Sequence, residues 1–93
     1  MTVLPTKLIV VEDVFDISDL LVFLPAVPFT FADRVCLGRG DRLELRRPDG
    51  TVLETSFYAL GRSSPSDGSG TISLKKPPNK ADVPIGTEIW KVG

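Results

Sequence analysis

Histidine is absent from the 93 residues, and cysteine, tryptophan and tyrosine occur once each. Without histidine, neither a Ser-His-Asp nor a Cys-His nucleophile arrangement can be assembled. The shortage of cysteine and histidine together excludes zinc sites of the usual ligand types. Cys36 has no partner for an intrachain disulfide, and a small domain without disulfides fits a reducing compartment. A surplus of either charge is also missing. Eleven Lys and Arg against twelve Asp and Glu leave a formal net charge of -1, which argues against strong sequence-independent nucleic-acid binding but leaves room for a local basic face. Long hydrophobic runs are lacking too: the longest uncharged stretch, Leu20 to Ala32, falls far short of the ~20 residues of a membrane span and contains Pro25 and Pro28. The opening residues carry no basic region followed by a long apolar run and a small-residue cleavage site. A cytoplasmic protein that acts on neither membranes nor nucleotides is expected.

What is present is ordinary for a globular domain, with 42% hydrophobic and 25% charged residues and enough chain for one core. Eight prolines and eight glycines are scattered throughout, and apolar residues recur at spacing two or in short runs bounded by turn residues. Lys7 to Ile17 reads as one long bent strand, with Asp13, Phe15 and Ile17 on one face and Val14 and Asp16 on the other. Leu20 to Leu24 is a second strand, and Phe29 to Val35 an irregular third. Asp41 to Arg46 alternates strictly: Leu43 and Leu45 face one way, Arg42, Glu44 and Arg46 the other. Arg47-Pro48-Asp49-Gly50 then predicts a type I turn with a following bulge, and Thr51 to Leu60 the return strand. Gly61 to Gly70 reads as a mobile polar loop, Thr71 to Leu74 as a short strand, and Glu88 to Val92 as the last one. The pattern predicts an all-β single domain over residues 1–93, a small closed antiparallel barrel of about six strands, since closure hides strand edges.

Chemistry-bearing motifs are few. Gly38-Arg39-Gly40 lacks the rest of a phosphate-binding loop and is read as a turn into the following strand. Glu12, Asp13, Asp16 and Asp19 do not follow calcium-loop spacing and are read as a solvated edge. Carboxylate acid–base work is the only catalytic route left open, and nothing favours it. The expectation is a non-enzymatic binding protein with no metal and no cofactor.

Several residues are candidates for that binding. Phe15 would serve either as a stacking platform or, in the plainer reading, as a core residue. The uncharged segment Leu20 to Phe31, with Phe23, Leu24, Phe29 and Phe31, either fills the barrel or forms an apolar patch for a protein partner or a homodimer. Arg42 and Arg46 share a face and could meet phosphates or a partner's carboxylates, but Glu44 between them points to a self-compensated surface. Trp90 is expected in the core with its N–H bonded at a rim.

The string Val11-Glu12-Asp13-Val14-Phe15-Asp16-Ile17 resembles the first strand of the second domain of elongation factor Tu and related translational GTPases, where (I/V)-E-D-V-F-x-I is characteristic. Gly40 to Leu45 resembles that domain's G-(D/E)-x-(V/L)-x-(I/L) strand, and Asp49 to Leu60 its next one. Gly70 to Leu74 and Ala81 to Ile89 are similar to its later elements, in the same order over nearly the whole chain. The resemblance implies a stand-alone barrel of the translation-protein type. It implies contact with RNA or the ribosome through Glu12, Asp13 and Phe15. The chain departs from the family after Ile17, where Ser18-Asp19 replaces a glycine-rich turn, and at Phe57 to Leu60, where an aromatic-basic pair is missing.

Overall fold

The structure, a computed structural model, describes residues 4–61, 68–76 and 78–92. Eight strands run in the order β1 (Thr6–Val10), β2 (Asp13–Ile17), β3 (Leu20–Pro28), β4 (Arg42–Arg46), β5 (Val52–Ser56), β6 (Ala59–Gly61), β7 (Ser69–Lys75) and β8 (Glu88–Lys91). One short helix, α1 (Phe29–Arg34), follows β3, and a single 3-10 turn covers Lys80–Asp82. The strands make two four-stranded antiparallel sheets, a first in the order β1-β8-β4-β5 and a second in the order β2-β3-β7-β6. The fold is all-β, but the closed barrel of about six strands is corrected on two counts. Eight strands form, and among the described residues their ladders make two sheets, not one closed ring.

The difference in number arises at two corners. The expected bent strand Lys7 to Ile17 breaks at Val11 and Glu12, where the Val11 amide donates to the Thr87 carbonyl just before β8 of the first sheet and the Glu12 amide donates to the Leu24 carbonyl in the second (2.8 Å each). The expected return strand Thr51 to Leu60 breaks in the same way. There the Phe57 amide donates to Asp41 (2.8 Å) and the Tyr58 amide to Ser73 (3.2 Å). Each corner carries the chain from one sheet to the other while keeping its amides paired, as buried backbone requires. The corner side chains Val11 and Phe57 are themselves core.

Between the sheets lies one cluster built from alternate residues: Ile9, Leu43, Leu45 and Ile89 from the first, Val14, Leu21, Phe23, Val27, Ile72 and Leu74 from the second. The Arg47–Gly50 turn forms as the sequence predicts, with Gly50 at φ 91° and its amide donating to the Arg47 carbonyl (3.0 Å). The segment expected as an irregular strand, Phe29 to Val35, is instead helix α1. Its apolar positions Phe31, Ala32 and Val35 recur at helical spacing and lean on the core, and Pro28 supplies an extended entry. The ladder between β3 and β7 shifts register between Phe23 and Val27, where Pro25 has no N–H to contribute. The polar loop expected from Gly61 to Gly70 lies mostly outside the described residues; Gly61 ends β6, and Ser69 and Gly70 open β7. Among the described residues no helix is long and apolar enough to cross a membrane.

Candidate functional site

The outer face of the second sheet is the most unusual surface of the molecule. Period-two alternation puts Val14, Leu21, Phe23, Ile72 and Leu74 inward, so their sequence neighbours point outward. Registry then builds the outer face in rows. Ile17 lies beside Leu20, which pairs with Lys75; Phe15 lies beside Val22, which pairs with Ser73, and Ser73 with Ala59; Asp13 lies beside Leu24. Five apolar side chains therefore adjoin one another on β2 and β3. Phe15 is 43% and Ile17 55% exposed, and Leu20, Val22 and Leu24 are half-buried. Full burial of a large apolar side chain stabilises a complex by roughly 1.5–3 kcal/mol, so Phe15 and Ile17 hold most of the unused affinity here.

Charge frames this stripe. Asp13 stands exposed at one corner, its carboxylate accepting from the neighbouring Val14 amide (2.8 Å). At the opposite corner Lys75 is exposed, its ammonium 4.9 Å from the centre of the Tyr58 ring, and Arg39 covers the same ring at 4.6 Å. Among the described residues neither Asp13 nor Lys75 has a salt-bridge partner. Asp16 and Lys76 pair with each other at the end of the sheet, with Asp16 on the inward side of β2 beside Leu21.

On the outer face of the first sheet four charged side chains pair with one another, while Lys7, opposite Trp90 on β1, has no salt bridge among the described residues. Arg42 pairs with Glu54 across the hairpin (3.2 Å), and Arg46 pairs with Glu44 on its own strand (3.0 Å). Arg46 also lies over the Trp90 ring at 4.1 Å, while the Trp90 N–H donates to Glu88 (2.8 Å). Trp90 is thus a half-buried residue of an outer face, not a core residue with a rim bond as expected. Its neighbours on β4 and β8 are charged, and alternation aims it away from Ile89 and Leu45.

The binding candidates read from the sequence are divided by this geometry. Phe23 is fully buried and is corrected from a partner-binding candidate to a core residue. Phe15 moves the other way, from a plain core reading to the surface. Leu24 lies on the outer face of β3. Phe29 opens α1 and packs over Gly70, where an added Cβ would come 2.9 Å from its ring. Phe31 packs against the core from α1. Glu12 and Asp13 are exposed beside Phe15. Arg42 and Arg46 sit on the other sheet, apart from the apolar stripe.

Sequence reading missed Ile17, Tyr58 and Lys75 as parts of this surface. The alternation of Asp13, Phe15 and Ile17 was visible, but nothing local says which face of β2 meets the core. A separate cavity of about 330 Å³ is lined by Leu4, Thr6, Arg34, Val35, Cys36 and Lys91, with the Cys36 thiol exposed beside it. Lys91 is buried on the inward side of β8, 4.0 Å from Asp41, and closes this end of the core. Among the described residues no group of three or more Cys, Asp or Glu side chains gathers as a metal site would require. Comparison with family models, with curated proteins and with solved structures finds no match to the chain.

Proposed function

We propose that this protein is a non-enzymatic binding module that makes protein–protein contacts through the outer face of its second sheet. The observation that carries the reading is the contiguous stripe of exposed Phe15 and Ile17 with half-buried Leu20, Val22 and Leu24, on a sheet whose inner side already fills the core. Large apolar side chains grouped on one face and rimmed by charge are what partner surfaces use, whereas scattered single ones need no explanation. A barrel of the translation-protein type is the finer fold we propose. One fact supports it: each corner joins the edge of one sheet to the edge of the other. Treating β1 with β2 and β5 with β6 as two bent strands yields six strands around one core.

A photo-crosslinking residue in place of Phe15, compared with one in place of exposed Val52 on the first sheet, tests the reading in cells. Protein adducts specific to position 15 support it. Equal labelling at both positions, or adducts to RNA alone, would sink it.

The second reading is an RNA- or ribosome-associated accessory protein. Its specific support is the Tyr58 ring under Arg39 and Lys75, with Lys75 on the face that carries Phe15, since aromatic and cationic groups together make stacking platforms for single strands. Glu12 and Asp13 beside Phe15 oppose it, because carboxylates repel phosphates. Binding to total tRNA and ribosomes across a salt series separates the two readings: the RNA reading requires affinity that falls steeply with salt.

A further inference from the structure

The charges around the apolar stripe have a geometry that selects a partner. Asp13 is on β2 in the row of Leu24, and Lys75 is on β7 in the row of Leu20. With strands about 4.8 Å apart and about 3.4 Å per residue, these corners are about 17 Å from one another along a diagonal of the face. Val22 lies at the midpoint of that diagonal, on the strand between them and in the row between them. The face therefore has an acidic corner, a basic corner and an apolar centre, with the opposite charges equidistant from the centre. Such a surface is complementary to itself. A two-fold axis in the plane of the face, passing over Val22 at right angles to the diagonal, lays Asp13 of one copy against Lys75 of the second copy, and does so twice. The same operation sets Phe15 of each copy over the space between Ile17 and Leu20 of the other.

We propose that the occupant of this face is a second copy of the chain, packed sheet against sheet as an isologous dimer. The proposal rests on the reading of this face as a protein-contact surface and adds the identity of the partner and its orientation. One observation favours a second copy over an unrelated protein. Lys75 and Asp13 are both exposed and lack ion-pair partners among the described residues, and a second copy in this orientation brings the complement of each. The face is small beside standard interfaces, so the dimer is a concentration-dependent one. Apolar burial supplies its affinity, and the two Asp13–Lys75 contacts fix its register.

Light scattering and sedimentation of the purified chain over a concentration series provide the test, with circular dichroism to verify folding. The mass is expected to rise with concentration from the 10.1 kDa monomer toward twice that value. Asp13→Lys alone and Lys75→Asp alone each turn two attractive contacts into two repulsive ones, and each is expected to weaken association by about tenfold or more. The double variant D13K/K75D is expected to restore it, because the exchanged charges meet again only when the partner carries the same exchange. A dimer indifferent to the single swaps, or one that the double swap fails to restore, overturns the two-fold arrangement. A strict monomer at every concentration overturns the second copy as occupant. The contact-surface reading itself survives a strict monomer if position 15 still crosslinks specifically to another protein, and fails with it if position 15 labels no differently from position 52.

Discussion

The two outer faces of this protein are built from the same kind of strand and meet water in opposite ways. On the first sheet, Arg42, Glu44, Arg46, Glu54, Glu88 and Trp90 satisfy one another through ion pairs, a stacked guanidinium and an indole N–H bond. On the second sheet, Phe15 and Ile17 are exposed and adjoin half-buried Leu20, Val22 and Leu24. A face closed by its own charges offers a partner little, since any new contact must first displace an existing one. An apolar face whose two corner charges lack ion-pair partners among the described residues gains from being covered. Position in the fold does not separate these faces, because both back onto the same core. The identity of the outward residues does.

The largest effect that sharpens this contrast comes from neighbours on one strand. Phe23→Ala empties the middle of the core and is expected to lower stability by about 3–5 kcal/mol, read as a shift of the denaturation midpoint. An effect as small as that of a surface substitution would mean that β3 is turned the other way. Trp90→Ala removes the ring under Arg46 and the bond to Glu88, and roughly 1–3 kcal/mol of stability is expected to go with it, with self-association retained. Loss of association in that variant would move the contact surface to the first sheet. Phe15→Ser and Ile17→Thr reverse the pattern: stability falls by about 1 kcal/mol or less, while association is lost. Melting curves alongside sedimentation separate the two quantities.

The smallest effect lies in the hairpin turn of the first sheet. The Thr51 hydroxyl donates to Asp49 at 2.6 Å and the Thr51 amide at 2.9 Å. The hydroxyl bond is the larger cause holding the Asp49 carboxyl below its ordinary value, followed by the amide bond. A folded-state value below the unfolded one stabilises the fold above the ordinary aspartate range, and that contribution is lost as pH falls through the lowered value. Asp49→Asn is therefore expected to be slightly less stable than the parent near neutrality. Denaturation at a series of pH values should show the gap closing on acidification. A gap that widens toward acid would mean that the bonds to Thr51 do not favour the charged form.

Part of this molecule is legible residue by residue. The alternation in Arg42 to Arg46, the Pro48 and Gly50 of the turn, and the scarcity of helical spacing together lead to an all-β domain with a firm central hairpin. Glu44 between two arginines also foretells a compensated face, because ion pairs on one strand depend on local spacing alone. The corners at Val11 and Phe57 were not legible, since a strand that changes sheets keeps its β character and only its hydrogen-bond partners differ. Leu20 to Leu24 hid its two faces for another reason. Alternation is read from contrast, and a run with apolar residues on both sides has none.

What the sequence determined alone is therefore the class of structure and the chemistry it lacks: strands and turns from local patterning, and no histidine or zinc ligand set from composition. Which of two apolar neighbours becomes core and which becomes surface was decided by tertiary pairing. Phe15 and Val14, or Val22 and Phe23, are equally able to enter an apolar interior. The register with β7, and the corner that turns β2 onto the second sheet, choose Val14 and Phe23 for the inside and leave Phe15 and Val22 on the outer face.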